Sequence, residues 1–290
     1  MNISLIISIV ATSTLFNIFK FFEKYKVVSL NAIVINYMVA SALAFILPEE
    51  TKSINYVICQ SWFPISILLG LLFVVLFQVM AYSSQKIDVS TTTIANKITF
   101  IFPTIMGILF FSENWNYLKI IGFLVAIISI VLTAENKRQF PKTKTYLVIL
   151  TLFFGGGILE SLLSYSQKFL IKPFDTSIFF GYLFLFAFLF GLLILIWRVK
   201  KGEKRPSKKD FFWGLILGIP NYFSMYFLLE SLKNTPSSTV FPIANMGVIL
   251  CSTFISVLLF REKISRKKSF ALLCSILAIL LISFNNTSRY

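Results

Sequence analysis

The sequence predicts an all-α integral membrane protein with ten transmembrane helices, arranged as two five-helix halves of opposite sense, an inverted-topology 5+5 repeat. Three observations predict it. Charge-poor segments of membrane-crossing length recur from end to end, basic residues collect in alternate loops, and the chain aligns with itself at a fixed offset. The 290 residues are 57% hydrophobic and only 13% charged, include 33 Phe, and have a mean hydropathy of +0.83. A soluble domain carries about 25% charged residues, and one water-surrounded core could not absorb this many apolar stretches. The surplus apolar surface is expected to face lipid.

A helix crosses the hydrocarbon core with roughly 17 to 25 residues. By that measure the expected spans run approximately over 3–20, 29–47, 62–85, 89–111, 116–134, 145–167, 177–197, 211–232, 237–260 and 267–284. The first is apolar from Ile3 to Phe19 and meets its first charge at Lys20. It has neither the positive leading region nor the small-residue cleavage site of a signal peptide, and is read as a retained helix. The second carries Asn36 and Tyr37, and the third Gln78 and Tyr82, at central positions. The fourth and ninth end on Phe111-Ser112-Glu113 and Phe260-Arg261-Glu262. Ile120 to Leu132 in the fifth and Ile178 to Trp197 in the seventh show no polar face, as suits helices that satisfy their own backbone in hydrocarbon. The sixth contains Gly155-Gly156-Gly157, where neighbouring helices can approach closely. Pro220 and Pro242 interrupt the eighth and ninth, and Pro103 the fourth. The tenth is almost free of central polar groups, like the fifth, so both are expected to be peripheral and lipid-facing. The Phe179, Phe180, Phe184, Phe186, Phe188 and Phe190 run of the seventh is likewise read as lipid-facing. No alternating segments of the β-barrel kind occur. The longest loops, 48–61 and 198–210, leave no room for a separate soluble domain.

The 27 Lys and Arg outnumber the 12 Asp and Glu and give a formal charge of +15, but their placement speaks of topology rather than nucleic acid. The loops after spans 1, 3, 5, 7 and 9 hold the clusters around Lys24, Lys86, Arg138, Lys201 and Arg266, whereas the opposite side holds scattered Lys52, Lys119, Lys168, Lys172, Lys233 and Arg289. The positive-inside rule then puts both termini outside the cytoplasm. The chain has no His, so the commonest metal ligand and general base are missing. Cys59, Cys251 and Cys274 have no metal or redox spacing, and no phosphate-binding GxxxxGK[ST] loop occurs. No metal, cofactor or enzymatic activity is expected. The expected partners are a small-molecule solute and membrane lipid, with no nucleic acid, in a monomer or weak homodimer.

An offset of 149 residues places Ile94-Ala95-Asn96 on Ile243-Ala244-Asn245, and Thr104, Leu109, Phe111 and Glu113 on Thr253, Leu258, Phe260 and Glu262. The halves are therefore drawn at 1–137 and 138–290. With an odd number of spans in each, the second half must enter the membrane in the opposite sense, the architecture of many secondary transporters.

At this point the chain resembles the drug/metabolite transporter (DMT) superfamily, in particular its ten-helix EamA-type branch. The five-plus-five duplication, the compact size and the Phe111-Ser112-Glu113 and Phe260-Arg261-Glu262 turns carry the resemblance. It implies a basket in which spans 1 to 4 and 6 to 9 surround a central substrate cavity, with 5 and 10 peripheral. It also implies a transporter of the cytoplasmic membrane, with an amino acid or related metabolite, exported, as the favoured cargo.

The polar groups reach a similar basket independently. Asn17, Tyr37, Gln78, Tyr82, Asn96, Lys97, Glu160, Asn221 and Asn245 lie inside expected spans, and are the candidate substrate-binding residues. A Lys or Asp at mid-helix costs roughly 2.5 to 3.5 kcal/mol on insertion scales, so Lys97 and Glu160 need partners or water. Two readings are open: binding of a zwitterionic solute, with Glu160 also a candidate for proton coupling, or a structural ion pair joining spans 4 and 6. Glu160 shares a helical face with Ser164 and Gln167. Asn96 and Asn245 are equivalent under the repeat and are expected to face each other. Glu113 and Glu262 read as boundary residues. A membrane enzyme lacks its chemistry here, and a non-transporting receptor or lipid scramblase on the same basket is the alternative to a secondary transporter.

Overall fold

The computed structural model describes residues 3–47, 52–86, 96–113, 116–133, 144–172, 174–203, 205–261 and 265–283. These residues form an all-helical bundle: α1 (Ile3–Tyr25), α2 (Ser29–Ile46), a short α3 (Ile54–Ile58), α4 (Phe63–Lys86), a 3₁₀ turn (Ile98–Phe100) leading into α5 (Ile101–Phe110), α6 (Tyr117–Thr133), α7 (Lys144–Tyr165) continued by a π turn (Ser166–Leu170), α8 (Thr176–Lys200), α9 (Lys208–Leu232), α10 (Ser237–Phe260) and α11 (Arg266–Ser283). Among the described residues, six helices are long and apolar enough to cross a membrane, and Ile3–Phe19, Ile98–Phe110 and Tyr117–Leu132 are apolar but shorter. This is a multi-pass membrane protein. The tenth expected span lies on α11, which opens with Arg266, Lys267 and Lys268, three charges that interrupt its apolar window. The N-terminal part of the fourth expected span lies outside the described residues, and the loop expected over 48–61 contains α3, whose N-cap Ser53 hydroxyl accepts the Tyr56 N–H at 3.3 Å.

The packing partners of the helices follow a symmetric pattern. α1 packs on α9 and α10, and α7 on α4 and α5; α2 meets α9 where α8 meets α4; α2 pairs with α8, α5 with α10 and α6 with α11. The turns after α5 and α10 agree in conformation as well: Ser112 and Arg261, 149 positions apart, have φ of 54° and 52°. A left-handed residue just past a helix end caps its last carbonyls, and here the Glu113 N–H reaches the Gly107 carbonyl at 3.0 Å.

The α6–α11 seam departs from the purely lipid-facing expectation. Gly122 of α6 lies against Ala278, Leu281 and Ile282 of α11, and Ala126 packs in the same cluster as Ala278. The Ser129 hydroxyl donates to the Ala271 carbonyl at 2.8 Å and lies 2.6 Å from the Ser275 hydroxyl. Small residues at this spacing allow close helix approach in lipid, and only the outer faces, with residues such as Leu124 and Leu273, are exposed. The Phe run of α8 is a second correction, because Phe179, Phe180 and Phe184 are fully buried. α2 and α4 flank α8, so one of its apolar faces packs against Tyr37, Phe73 and Trp62. Apolar sequence alone does not distinguish a face turned to lipid from one turned to protein.

At the basic end, α9 starts with a capping box in which the Asp210 N–H donates to the Ser207 hydroxyl at 3.2 Å and the Ser207 N–H donates to the Asp210 carboxylate at 2.8 Å. The same carboxylate accepts from the Val28 N–H at 2.9 Å and the Asn31 amide at 3.0 Å, fixing the α1–α2 turn to α9.

Candidate functional site

A cavity of about 190 Å³ lies at the centre of the bundle, walled by α1, α4, the segment leading into α5, α7, α9 and α10. Lys97 enters it from the N-cap of the 3₁₀ turn, 7% exposed. Its ammonium donates to the Asn245 carbonyl oxygen at 3.2 Å and stands 4.8 Å from the centre of the Phe16 ring, a cation–π distance. Asn96 and Asn245 both line the cavity. Asn96, however, turns its amide to the Met80 sulfur at 3.2 Å, while its backbone carbonyl accepts from the Thr99 hydroxyl at 2.7 Å.

Glu160 faces Lys97 from α7. One turn earlier, Gly156 has no side chain, and a Cβ there would collide with Thr99; its neighbours Gly155 and Gly157 seat Leu76 and Phe102 in the same way. This glycine run lets α4 and α5 close onto α7, and Thr99, Lys97 and Asn245 stand around the carboxylate. Glu160 Oε2 is buried with no hydrogen-bond partner in the protein, as are Asn245 Nδ2 and Asn221 Nδ2. Buried polar atoms in native proteins nearly always have a partner, so a cluster of three orphans on one cavity marks a place for a polar ligand or ordered water. Lys97 and Glu160 make no direct ion pair, unlike Arg198 and Glu203 at 2.7 Å and Lys233 and Glu230 at 2.6 Å, both near helix ends.

The structure therefore brings together Asn96, Lys97, Glu160, Asn221 and Asn245, and keeps other candidates apart. Asn17 joins α1 to α10: it donates to the Ser13 carbonyl at 2.8 Å and accepts from the Ser256 hydroxyl at 2.9 Å. Tyr37 is fully buried behind the wall, its ring 5.9 Å from that of Phe77. Gln78 lies outside the cavity lining, and the Tyr82 side chain lies outside the described residues. Ser164 and Gln167 are buried but do not share the cavity with Glu160. Gln167 falls in the π turn, whose wider winding breaks the i, i+4, i+7 register. Ser8, Thr12 and Ser224 line the cavity without having been singled out; only the i, i+3 spacing of Asn221 and Ser224 carried a signal for the last.

Glu113, at the end of the chain segment following α5, lies away from the cavity. Its carboxylate accepts from the Ser237 N–H at 2.8 Å, the Ser237 hydroxyl at 2.9 Å and the Ser238 N–H at 2.9 Å, capping α10 from the other half of the chain. Its equivalent, Glu262, lies outside the described residues.

Residues 147–284 match the sequence profile of the EamA-like transporter family. An uncharacterized protein of Haemophilus influenzae is 26% identical over 286 residues, which span 95% of this chain and 96% of the relative. A solved crystal structure superposes with a TM-score of 0.81 at 13% identity, covering 97% of this chain and 96% of that one; this likeness establishes the fold.

Proposed function

Because residues 147–284 place this chain in the EamA-like transporter family of the DMT superfamily, we propose that it is a secondary transporter that moves a small polar metabolite, an amino acid or related compound, out of the cell. It works by alternating access of two five-helix halves, 1–137 and 138–290, that together supply ten spans. The observation that carries this reading is the central cavity in which Lys97, Glu160, Asn221 and Asn245 converge with orphaned polar atoms. The symmetric pattern of packing partners supports the two-half design, since an inverted repeat supplies two equivalent states of opposite access. Lys97 and Glu160 read better as solute-binding groups than as a structural pair, because they share a cavity without bonding to each other. Asn96 and Asn245 flank them, and Glu160 is the candidate proton carrier.

The membrane is the cytoplasmic membrane, with both termini outside, on the Lys and Arg bias between alternate loops. A reporter fused after Tyr290 tests the orientation, and activity of a cytoplasmic reporter at that position would reverse it. Counterflow in liposomes tests transport. Protein-dependent accumulation of radiolabelled amino acid against an internal pool of the same compound is the expected result, and its absence for amino acids, nucleosides and sugars alike would end the transporter reading. An imposed proton gradient should drive net flux in the native protein. Glu160→Gln should then lose gradient-driven flux, and full retention would remove Glu160 from coupling.

A further inference from the structure

A groove of about 600 Å³ runs between α1 and α9 and shares no residue with the lining of the central cavity. It extends from Ile6 to Ile18 on α1 and from Ile216 to Phe227 on α9. Ile6, Ile7, Val10 and Ile219 among its walls are exposed, so it opens on the outer surface of the bundle. Thr14, its one hydroxyl-bearing residue, donates to the Val10 carbonyl at 2.9 Å, and the remaining walls are hydrocarbon. We propose that this groove binds one anionic phospholipid, with an acyl chain laid between α1 and α9, the glycerol region at the Phe21, Tyr25 and Trp213 rings, and the phosphate at Lys24 and Lys209.

Length, aromatic placement and charge point to the same occupant. At the rise of an α-helix, Ile6 to Ile18 covers about 18 Å, close to the roughly 15 Å of hydrocarbon in one leaflet. Directly beyond Ile18 and Ile216, the Trp213 ring stacks on Phe21 at 5.4 Å and lies 5.3 Å from Tyr25. Trp and Tyr favour this depth, where hydrocarbon meets headgroups. The next turn outward is basic. Lys209 precedes Trp213 by four residues and Ile216 by seven, which puts all three on one face of α9, and the Lys24 ammonium stands 5.7 Å from the centre of the Tyr25 ring. Lys24, Lys208 and Lys209 are exposed. Residues 20–26 and 205–210 together carry six Lys and Arg against two acids, Glu23 and Asp210, and the Asp210 carboxylate is already engaged by Ser207, Val28 and Asn31. The other basic stretch, at the end of α8, is partly spent within the protein: Arg198 pairs with Glu203 at 2.7 Å and the Lys201 ammonium covers the Trp197 ring at 3.8 Å. A second copy of the chain fits the groove less well, because a two-fold contact sets the same patch against itself and would bring the lysines of both copies together.

Native mass spectrometry of the full-length protein in detergent tests this, with phosphatidylglycerol and phosphatidylcholine of identical acyl chains titrated in competition. A lysine at a membrane surface favours anionic lipid by about fivefold, so a first phosphatidylglycerol should bind at least about tenfold more tightly than phosphatidylcholine. The double variant Lys24→Gln/Lys209→Gln should reduce that preference to less than about threefold, whereas Lys200→Gln/Lys201→Gln, at the end of α8, should leave it unchanged. Thr14→Phe, which fills the groove, should lower retention of both lipids and keep their ratio. Glycerol 3-phosphate, a headgroup without chains, should not displace the bound lipid. Equal retention of the two lipids, a preference that survives Lys24→Gln/Lys209→Gln, or one that falls equally in Lys200→Gln/Lys201→Gln would overturn the proposal. So would displacement by glycerol 3-phosphate, or a dimer that Thr14→Phe converts to monomer, which would give the groove to a second copy.

Discussion

Glu113 and Glu160 are both carboxylates held between helices far apart in sequence, and their surroundings are opposite. Glu113 accepts three hydrogen bonds, two of them from backbone N–H groups at the start of α10, where the helix dipole also favours negative charge. Glu160 has a buried oxygen with no partner. Asp210 resembles the first, with its acceptors filled by Ser207, Val28 and Asn31. The contrast separates two uses of an acid in a membrane protein. A saturated carboxylate joins elements and has no capacity left for a ligand, whereas an unsaturated one weakens the fold slightly and keeps its capacity for something that arrives.

Thermal unfolding of purified variants would sharpen or break this contrast. The largest loss is expected for Glu113→Ala, about 3 kcal/mol, because charge-assisted hydrogen bonds and a helix cap go together. Glu113→Gln keeps one acceptor oxygen and should lose about half as much. Asp210→Asn should cost about 1 kcal/mol, since an amide oxygen still serves part of the capping box. Glu160→Gln should change stability by less than about 0.5 kcal/mol, or raise it, because it removes a buried charge that makes no ion pair and has one oxygen without a partner, while weakening solute binding at least about tenfold. A stability loss for Glu160→Gln equal to that for Glu113→Ala would make the two acids alike and return Glu160 to a structural role.

The sequence carried the positions of the helices well, because length and apolarity are properties of a segment by itself. The offset of 149 rests on a few polar residues, and Ser112 and Arg261, also 149 apart, share a left-handed conformation. What could not be read was which way a helix faces. Phe179 and Phe184 pass equally for lipid-facing residues or core, and Asn17 for ligand-binding or helix-joining, since lipid does not mark an outer face with polar residues as water does. The fully satisfied Asn17 and the orphaned Asn221 differ only in what neighbouring helices bring to them. Small polar contributors such as Ser8 and Thr12 were missed because hydroxyl groups are cheap within a helix, where they can bond the preceding turn.

The hydrogen bond from Lys97 to Asn245 spans 148 residues of chain, and this bears on how the molecule is made. At about 5 to 20 residues per second, Lys97 is synthesised roughly 7 to 30 s before the amide oxygen that accepts its hydrogen bond exists. The nascent first half must shelter an ammonium group without α7 or α10, by drawing it toward the headgroups or leaning on the insertion machinery. Assembly of the finished protein therefore waits on the last quarter of the chain, and truncated products would present that charge to the quality-control system as a mark of incompleteness.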